Sequence, residues 1–133
     1  MKCGEVHKKG EVSLMDIISE VKKNPDFYKA GGIACFIGVV RGETRDGIPV
    51  EKLELEAYEE KANEILTNIC EDIKKEKGII SVQIHHNLGE FKVGEEIVYV
   101  VIAGTHRKEL FSALFNAVER YKKEAPIWKA AYD

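Results

Sequence analysis

The residues most able to do chemistry stand in a row, Gly104-Thr105-His106-Arg107, where an apolar run gives way to a helical pattern. The start of a helix has unpaired N–H groups and the positive end of the helix dipole, so it favours an anion. Cations are disfavoured in a first turn unless something negative joins them. With Thr105 as the cap, His106 and Arg107 in that turn therefore suggest an anion site. Alternatively, both side chains turn outward to solvent or pair with a nearby carboxylate, and spacing leaves both readings open. Arg41 leaves a strand apolar on both faces and enters a charged loop, where residues often line sites; taken alone, such an arginine can equally be solvated. The third candidate is the C-terminal stretch Tyr121-Lys122-Lys123-Glu124-Ala125-Pro126-Ile127-Trp128-Lys129. Pro126 ends a helix, and Trp128 is expected to fold back as an anchor that holds Lys129 in place. A docked lysine can bind an oxyanion or a phosphate, or act as an amine of lowered pKa. Against this, most of the chain's many lysines must be surface solubilisers.

Other features point less sharply. His85 and His86 are adjacent on or after a strand, so they face opposite sides and cannot join in one metal site. His7 and His106 stand too far apart in sequence to constrain anything. Cys35 lies within an apolar strand and Cys70 on the apolar stripe of a helix, so both are expected as core residues; Cys3 is near a terminus and open to exposure. Glu59-Glu60-Lys61 has the charge pattern of a helix start. The chain contains no Walker loop, no GxGxxG and no GxSxG.

The elements that must position these residues fit one compact domain over residues 1–133. Of the 133 residues, 44% are hydrophobic and 32% charged, enough for a packed core with a solvated surface. A net charge of −3 argues against a general nucleic-acid binder, while leaving room for a small anion in a locally basic cleft. The longest apolar run, Ile97 to Ala103, suits a strand and is far short of the roughly 20 residues that span a bilayer. Lys2, Lys8 and Lys9 are followed by no apolar stretch, so no signal peptide is read. The cysteines are odd in number and unpaired in pattern, which suits a reducing cytoplasm.

A short strand is expected near Gly4 to His7. Ser13 can cap a helix with Leu14, Ile17, Ile18 and Val21 on one face, ending at Asn24-Pro25. Ile33 to Val40 reads as a central buried strand. Leu53 to Ala57 reads as a half-wet strand, and Ala62 to Ile73 as a helix stopped by Gly78. Ile80 to His85 is a half-buried strand, Asn87 to Gly94 a turn region, and Glu96 to Ala103 a second buried strand. A last helix bears Phe111, Leu114, Phe115 and Val118, and a short tail follows Pro126. The order indicates an α+β domain with helices on a mostly antiparallel or mixed sheet, with a ferredoxin-like core as one candidate for its middle.

Five segments, in order and suitably spaced over about residues 31–129, resemble the molybdopterin synthase large (catalytic) subunit family. Gly32-Ile33-Ala34-Cys35-Phe36-Ile37-Gly38-Val39-Val40-Arg41 resembles its strand running into Gly-x-x-Arg. Leu55-Glu56-Ala57-Tyr58 followed by Glu59-Glu60-Lys61-Ala62 resembles its Glu-x-Tyr helix entry. His86-Asn87-Leu88-Gly89-Glu90 with Val93-Gly94-Glu95 resembles its His-Arg-Ile-Gly turn, although Asn87 stands where the family usually has Arg. Thr105-His106-Arg107 resembles its Ala-His-Arg. Lys122 to Lys129 resembles its Lys-x-x-x-Pro-x-Trp-Lys.

The resemblance implies an α/β hammerhead-like domain with an additional antiparallel β-sheet. It also implies a sulfurtransferase of molybdenum cofactor biosynthesis, which installs two sulfurs on cyclic pyranopterin monophosphate to form molybdopterin. The sulfur arrives as a thiocarboxylate on the C-terminal Gly-Gly of a separate small sulfur-carrier subunit. Large subunits pair as a homodimer, with a small subunit at each end of the heterotetramer. Lys122 and Lys129 correspond to the family's active-site lysines and Arg41 to its pocket arginine. His106 and Arg107 correspond to a pair that binds an anion across the dimer interface. No cofactor and no metal are implied. The family's chains often continue past the last motif, so a sequence ending at Asp133 is expected to cover its pocket or engage its partner differently. The competing reading is a non-catalytic ferredoxin-like regulatory domain that binds a small anion; it accounts for Arg41, His106 and Arg107 but not for the two lysines. A homodimer is also expected because the apolar strands and the helix with Phe111 and Phe115 offer more apolar surface than one small domain needs.

Overall fold

The structure is a computed structural model that describes residues 1–132; Asp133, and with it the expected shorter cover at the chain end, lies outside the described residues. Its elements are β1 (Gly4–Lys8), α1 (Leu14–Lys22), a 3-10 turn (Phe27–Lys29), β2 (Gly32–Val39), β3 (Lys52–Ala57), α2 (Glu59–Lys74), β4 (Ile79–Lys92), β5 (Glu96–Gly104), α3 (Arg107–Glu124) and β6 (Ile127–Tyr132). The strands run in the order β2-β5-β4-β3-β6, with β1 added in parallel to β4. The α+β class holds, and the hammerhead-like sheet with a second antiparallel sheet takes a definite form. One sheet combines β1, β2, β5 and the first part of β4, and the other combines β3, β6 and the last part of β4.

Alternating side chains give the first sheet two apolar faces, because successive residues of a strand point to opposite sides. Val82, Ile84, Val98, Val100 and Ile102 pack with α2 and α3. Ile80, Tyr99, Val101 and Ala103 pack with Ile17 and Val21 of α1. Ser13 caps α1 through a capping box with Asp16, as its sequence suggested. A third cluster of Val40, Leu53, Leu55 and Phe91 fills the second sheet and sits under the loop that follows β2.

Several expectations change. β4 does not end in a turn region over 87–94: it continues to Lys92, passing through Gly89 at φ +124, and turns only at Gly94. The bend hands one strand from the first sheet to the second. Its polar side is not wet, since Ser81, Gln83 and His85 are buried. Far from being central, β2 forms the edge of its sheet, and Cys35 is exposed rather than core. Apolar residues on both faces of this strand signal a surface that remains open within a single chain. Cys70 is buried as expected. The chain after Pro126 forms β6 on β3, so the expected tail is a strand. A ferredoxin-like core would split β3 and β4 by a third strand, whereas here they pair directly and antiparallel.

His85 is completely buried, and burial followed by the neighbouring His7 pushes its pKa down to about 3. The unfolded chain takes up this proton near pH 6.5, so it binds more protons than the folded chain at all values between. The contribution to stability is complete above about pH 6.5 and is lost as pH falls towards about 3. Urea midpoints should therefore decline from about pH 6.5 to about pH 5, before carboxylates begin to protonate. A flat profile over that range would contradict a buried neutral His85.

Candidate functional site

Three of the expected basic residues meet. Arg41, Lys122 and Lys129 all line a cleft of about 730 Å³, and the same three line a neighbouring cavity of about 470 Å³. The two cavities join at these cations. Arg41 arrives there because Val40 is fixed: its N–H donates to the Glu95 carbonyl at 3.0 Å, and its carbonyl accepts from Gly94 N–H at 2.9 Å. The following loop is tied back on itself by Val50 N–H to the Gly42 carbonyl at 2.9 Å, with Gly47 supplying a turn at φ +80. A register shift between Gly38 and Val39 redirects the strand just before this point.

Lys122 lies in the last turn of α3, where a cation suits the negative end of the helix dipole. Its ammonium sits 5.6 Å from the centroid of the Phe36 ring, a cation–π contact across the cleft wall. Neighbouring Tyr121 is buried, and burial raises its phenol to about 12. Ala125 takes an extended backbone before Pro126, which ends the helix and turns the chain into β6. Lys129 is then placed by the pairing of its backbone with Leu55 in β3. Trp128 does not fold back as a buried anchor: it is 47% exposed and forms part of the cleft wall. Lys129 is positioned by strand pairing instead.

His106 and Arg107 are not part of this cleft. Both are exposed at the other end of α3, which begins at Arg107, so about 22 Å of helix separates Arg107 from Lys122. Thr105 is not the cap; His106 holds that position and makes no side-chain capping bond. The backbone N–H of Thr105 instead donates to the Gly78 carbonyl at 2.8 Å.

The fold adds His86 to the candidates. It lines the larger cleft and packs edge-on to Tyr121 with ring centroids 5.9 Å apart. Its Nδ1 lies 2.9 Å from the Asn87 carbonyl, which can only accept, so Nδ1 carries the proton. Burial lowers its pKa, so it is a neutral imidazole beside the cations. The signal was its place on the opposite face from His85, but the sequence does not say which face meets a cleft. Cations concentrated in a partly apolar cleft, beside a neutral imidazole, can bind anions and stabilise charge that develops on oxygen or sulfur.

Residues 7–124 match the family described as "MoaE protein". The chain is 35% identical to "Probable molybdopterin synthase" of Haloferax volcanii over 89% of its own length, but it spans only 46% of that longer protein. It is 37% identical to "Molybdopterin synthase catalytic subunit" of Pyrococcus abyssi, covering 84% of this chain and 82% of that one. The solved molybdopterin synthase structure from Staphylococcus aureus superimposes with a TM-score of 0.81 at 32% identity, covering 97% of this chain and 90% of the other.

If the three cations act together, inorganic phosphate or sulfate should occupy the junction of the two cavities. Crystals grown in sulfate should show the anion among Arg41, Lys122 and Lys129, and calorimetry should show weaker phosphate binding in Arg41→Ala and Lys122→Ala. An anion seen only elsewhere, with binding indifferent to both substitutions, would dissolve the grouping.

Proposed function

The chain belongs to the MoaE protein family, and on that premise we propose that it is the catalytic subunit of a molybdopterin synthase. It moves sulfur from the C-terminal Gly-Gly thiocarboxylate of a separate small subunit onto cyclic pyranopterin monophosphate. The observation that carries this reading is the meeting of Arg41, Lys122 and Lys129 where two cavities join. A two-substrate transfer needs such a junction: a phosphorylated heterocycle and an anionic peptide tail must approach from different directions and touch at one point. Cations between them offset the repulsion of two anions as they are brought together.

The chemistry supplies a role for each charge. Thiocarboxylate sulfur attacks a carbon of the pterin side chain, and as the new carbon–sulfur bond forms the carbon–oxygen bond at that carbon breaks, its oxygen leaving as water or as an arm of the opened cyclic phosphate. Water then cleaves the acyl–sulfur bond through a tetrahedral oxyanion, and the tail leaves as a carboxylate. Lys122, held over Phe36, stabilises the oxyanion, and Lys129 and Arg41 bind the phosphate and the thiocarboxylate. The apolar walls reduce dielectric screening, which strengthens each of these interactions. The cytoplasm suits a protein with free thiols at Cys3, Cys35 and Cys70.

The remaining pair, His106 and Arg107, joins the site across a two-fold axis. At about 100° per residue, Arg107, Phe111, Phe115, Val118 and Lys122 fall within an arc of about 80° on α3. Phe111 and Phe115 are 61% and 66% exposed, an apolar stripe with a cation at each end. Antiparallel packing of this stripe on its copy, centred near Phe115, covers the phenylalanines and sets one protomer's Arg107 beside its partner's Lys122. A homodimer thus completes two basic sites at once, and the small subunits occupy the outer ends of the resulting heterotetramer.

Two sets of variants test the reading, assayed with a thiocarboxylated small subunit and the cyclic pyranopterin. Lys122→Ala should lower molybdopterin formation by about 10²-fold or more, the scale of one lost electrostatic stabiliser. Lys129→Ala should also lose activity, while Lys123→Ala should be nearly silent, because Lys123 is solvated and paired with Glu119 at 3.7 Å. Wild-type turnover in Lys122→Ala would remove the catalytic assignment. Separately, Phe115→Asp should yield a monomer by sedimentation, together with a loss of activity. A fully active monomer would show that the two-fold is not needed.

A further inference from the structure

On the face of the sheet away from the cleft, the fold assembles a group that the sequence reading kept apart. β1 pairs in parallel with β4 so that Glu5 stands opposite His85 and His7 opposite Asn87. Residues two apart on a strand share a face, so Glu5, His7 and His85 point the same way. His7 Nε2 lies 2.7 Å from His85 Nδ1 and 3.8 Å from a Glu5 carboxylate oxygen. One donor atom from each of the three side chains falls within 4.8 Å of the others.

The orientation of His85 is fixed from behind. Its Nε2 lies 2.6 Å from Gln83 Oε1, and an amide oxygen only accepts, so Nε2 holds the ring proton. Nδ1 therefore presents its lone pair towards His7 and Glu5. Ligating histidines are commonly held in this way, the second ring nitrogen donating to an oxygen in the outer shell. His85 and Gln83 are both buried, whereas the side chains of His7 and Glu5 keep 15% and 29% of their exposure. The group thus has a rigid inner wall and an opening to water. Beside it, in register with His7, the buried Asn87 Oδ1 makes no hydrogen bond among the described residues.

We propose that Glu5, His7 and His85 form a binding site for a divalent transition-metal ion of the zinc class, with Gln83 as the outer-shell residue and a fourth position open to water. Two imidazoles and one carboxylate are a donor set that suits zinc and its neighbours, and it lacks the many oxygens that calcium or magnesium need. Entry of the ion requires the proton on His7 Nε2 to move to Nδ1 of the same ring, which stays neutral. It also requires the two nitrogens to part from 2.7 Å to about 3.3 Å, the separation set by tetrahedral bonds of about 2.0 Å. His7 can make this movement because its ring is at the solvent edge. The bound ion would fasten β1 to β4, and it is independent of the sulfur-transfer cleft on the other face.

The test uses the full chain freed of metal by a chelator and titrated with Zn²⁺ by calorimetry and with Co²⁺ by visible absorption. One ion per chain is expected, with the d–d bands of a tetrahedral nitrogen–oxygen site and no thiolate charge-transfer band. Zn²⁺ should raise the thermal unfolding midpoint. His7→Ala, at the solvent edge, should keep the fold by circular dichroism and lose at least about 10²-fold in affinity, and Gln83→Leu should lose about 10- to 100-fold. Equal Zn²⁺ affinity in wild type and His7→Ala overturns the site, as does a cobalt spectrum dominated by thiolate ligation. The absence of stoichiometric binding would leave a histidine pair satisfied by its own hydrogen bonds and end the proposal.

Discussion

One constraint governs the molecule: the backbone of β4 must be hydrogen-bonded along its whole length while most of it is buried. A buried N–H or carbonyl without a partner costs about as much as a lost hydrogen bond, so a 14-residue strand that is buried over most of its length needs a partner strand at every stage. No single neighbour supplies them. β5 covers Ile79 to His86 on one side, β1 takes Ile84 to Leu88 on the other, and β3 takes over from Gly89 to Lys92. The two-sheet architecture follows from this succession, and so does the glycine at the bend, where φ +124 is open to few other residues. The apolar clusters then form on surfaces that the pairing has already set.

The cleft lies where the two sheets meet, walled by the end of β2, the end of α3 and β6. Each contributes one cation from a place where the backbone changes element: Arg41 after a strand, Lys122 in a last helical turn, Lys129 soon after Pro126. Such positions let long side chains converge without interrupting a core. They also explain how a chain of net charge −3 keeps a basic site. Many of the negative charges lie on helices, several of them in ion pairs such as those of Arg120 with Asp72 and Glu124, and Glu43 and Asp46 line the smaller cavity, while the larger cleft collects cations from three separate elements and no carboxylate among the described residues.

Much of this was legible in the sequence because it depends on local pattern. Helical spacing gave α1, α2 and α3, and alternation gave most strands. The ordered motifs gave the family and, with it, the basic residues. What was not legible depends on pairing between distant segments. Periodicity cannot distinguish an edge strand whose apolar surface stays open from a strand buried at the centre, which is why Cys35 reads as a core residue in the sequence and stands exposed in the fold. The tail became β6 because β3 had a free edge, a fact that lies in residues 70 or more positions away. Trp128 reads as an anchor by residue type, yet strand geometry turns it to the cleft wall. Adjacent His85 and His86 were correctly expected on opposite faces, but only the register of β1 reveals that His7 waits on one of those faces, and only the bend reveals that the other meets a cleft.

That alternation makes β4 a two-sided template whose meaning depends on counting. A deletion or insertion of a single residue between Ile80 and His85 would shift the register by one and exchange the two faces from that point on. His86 would leave the cleft for the α1 side, and His85 would enter the core beneath α3. The apolar contacts could still be met in part, because both faces of β4 are buried, so the damage would lie in chemistry more than in stability. Length in this segment is therefore more constrained than residue identity, and variation among chains that share this fold should take the form of substitutions within β4, with changes of length displaced to the loop after Arg41 and to the ends.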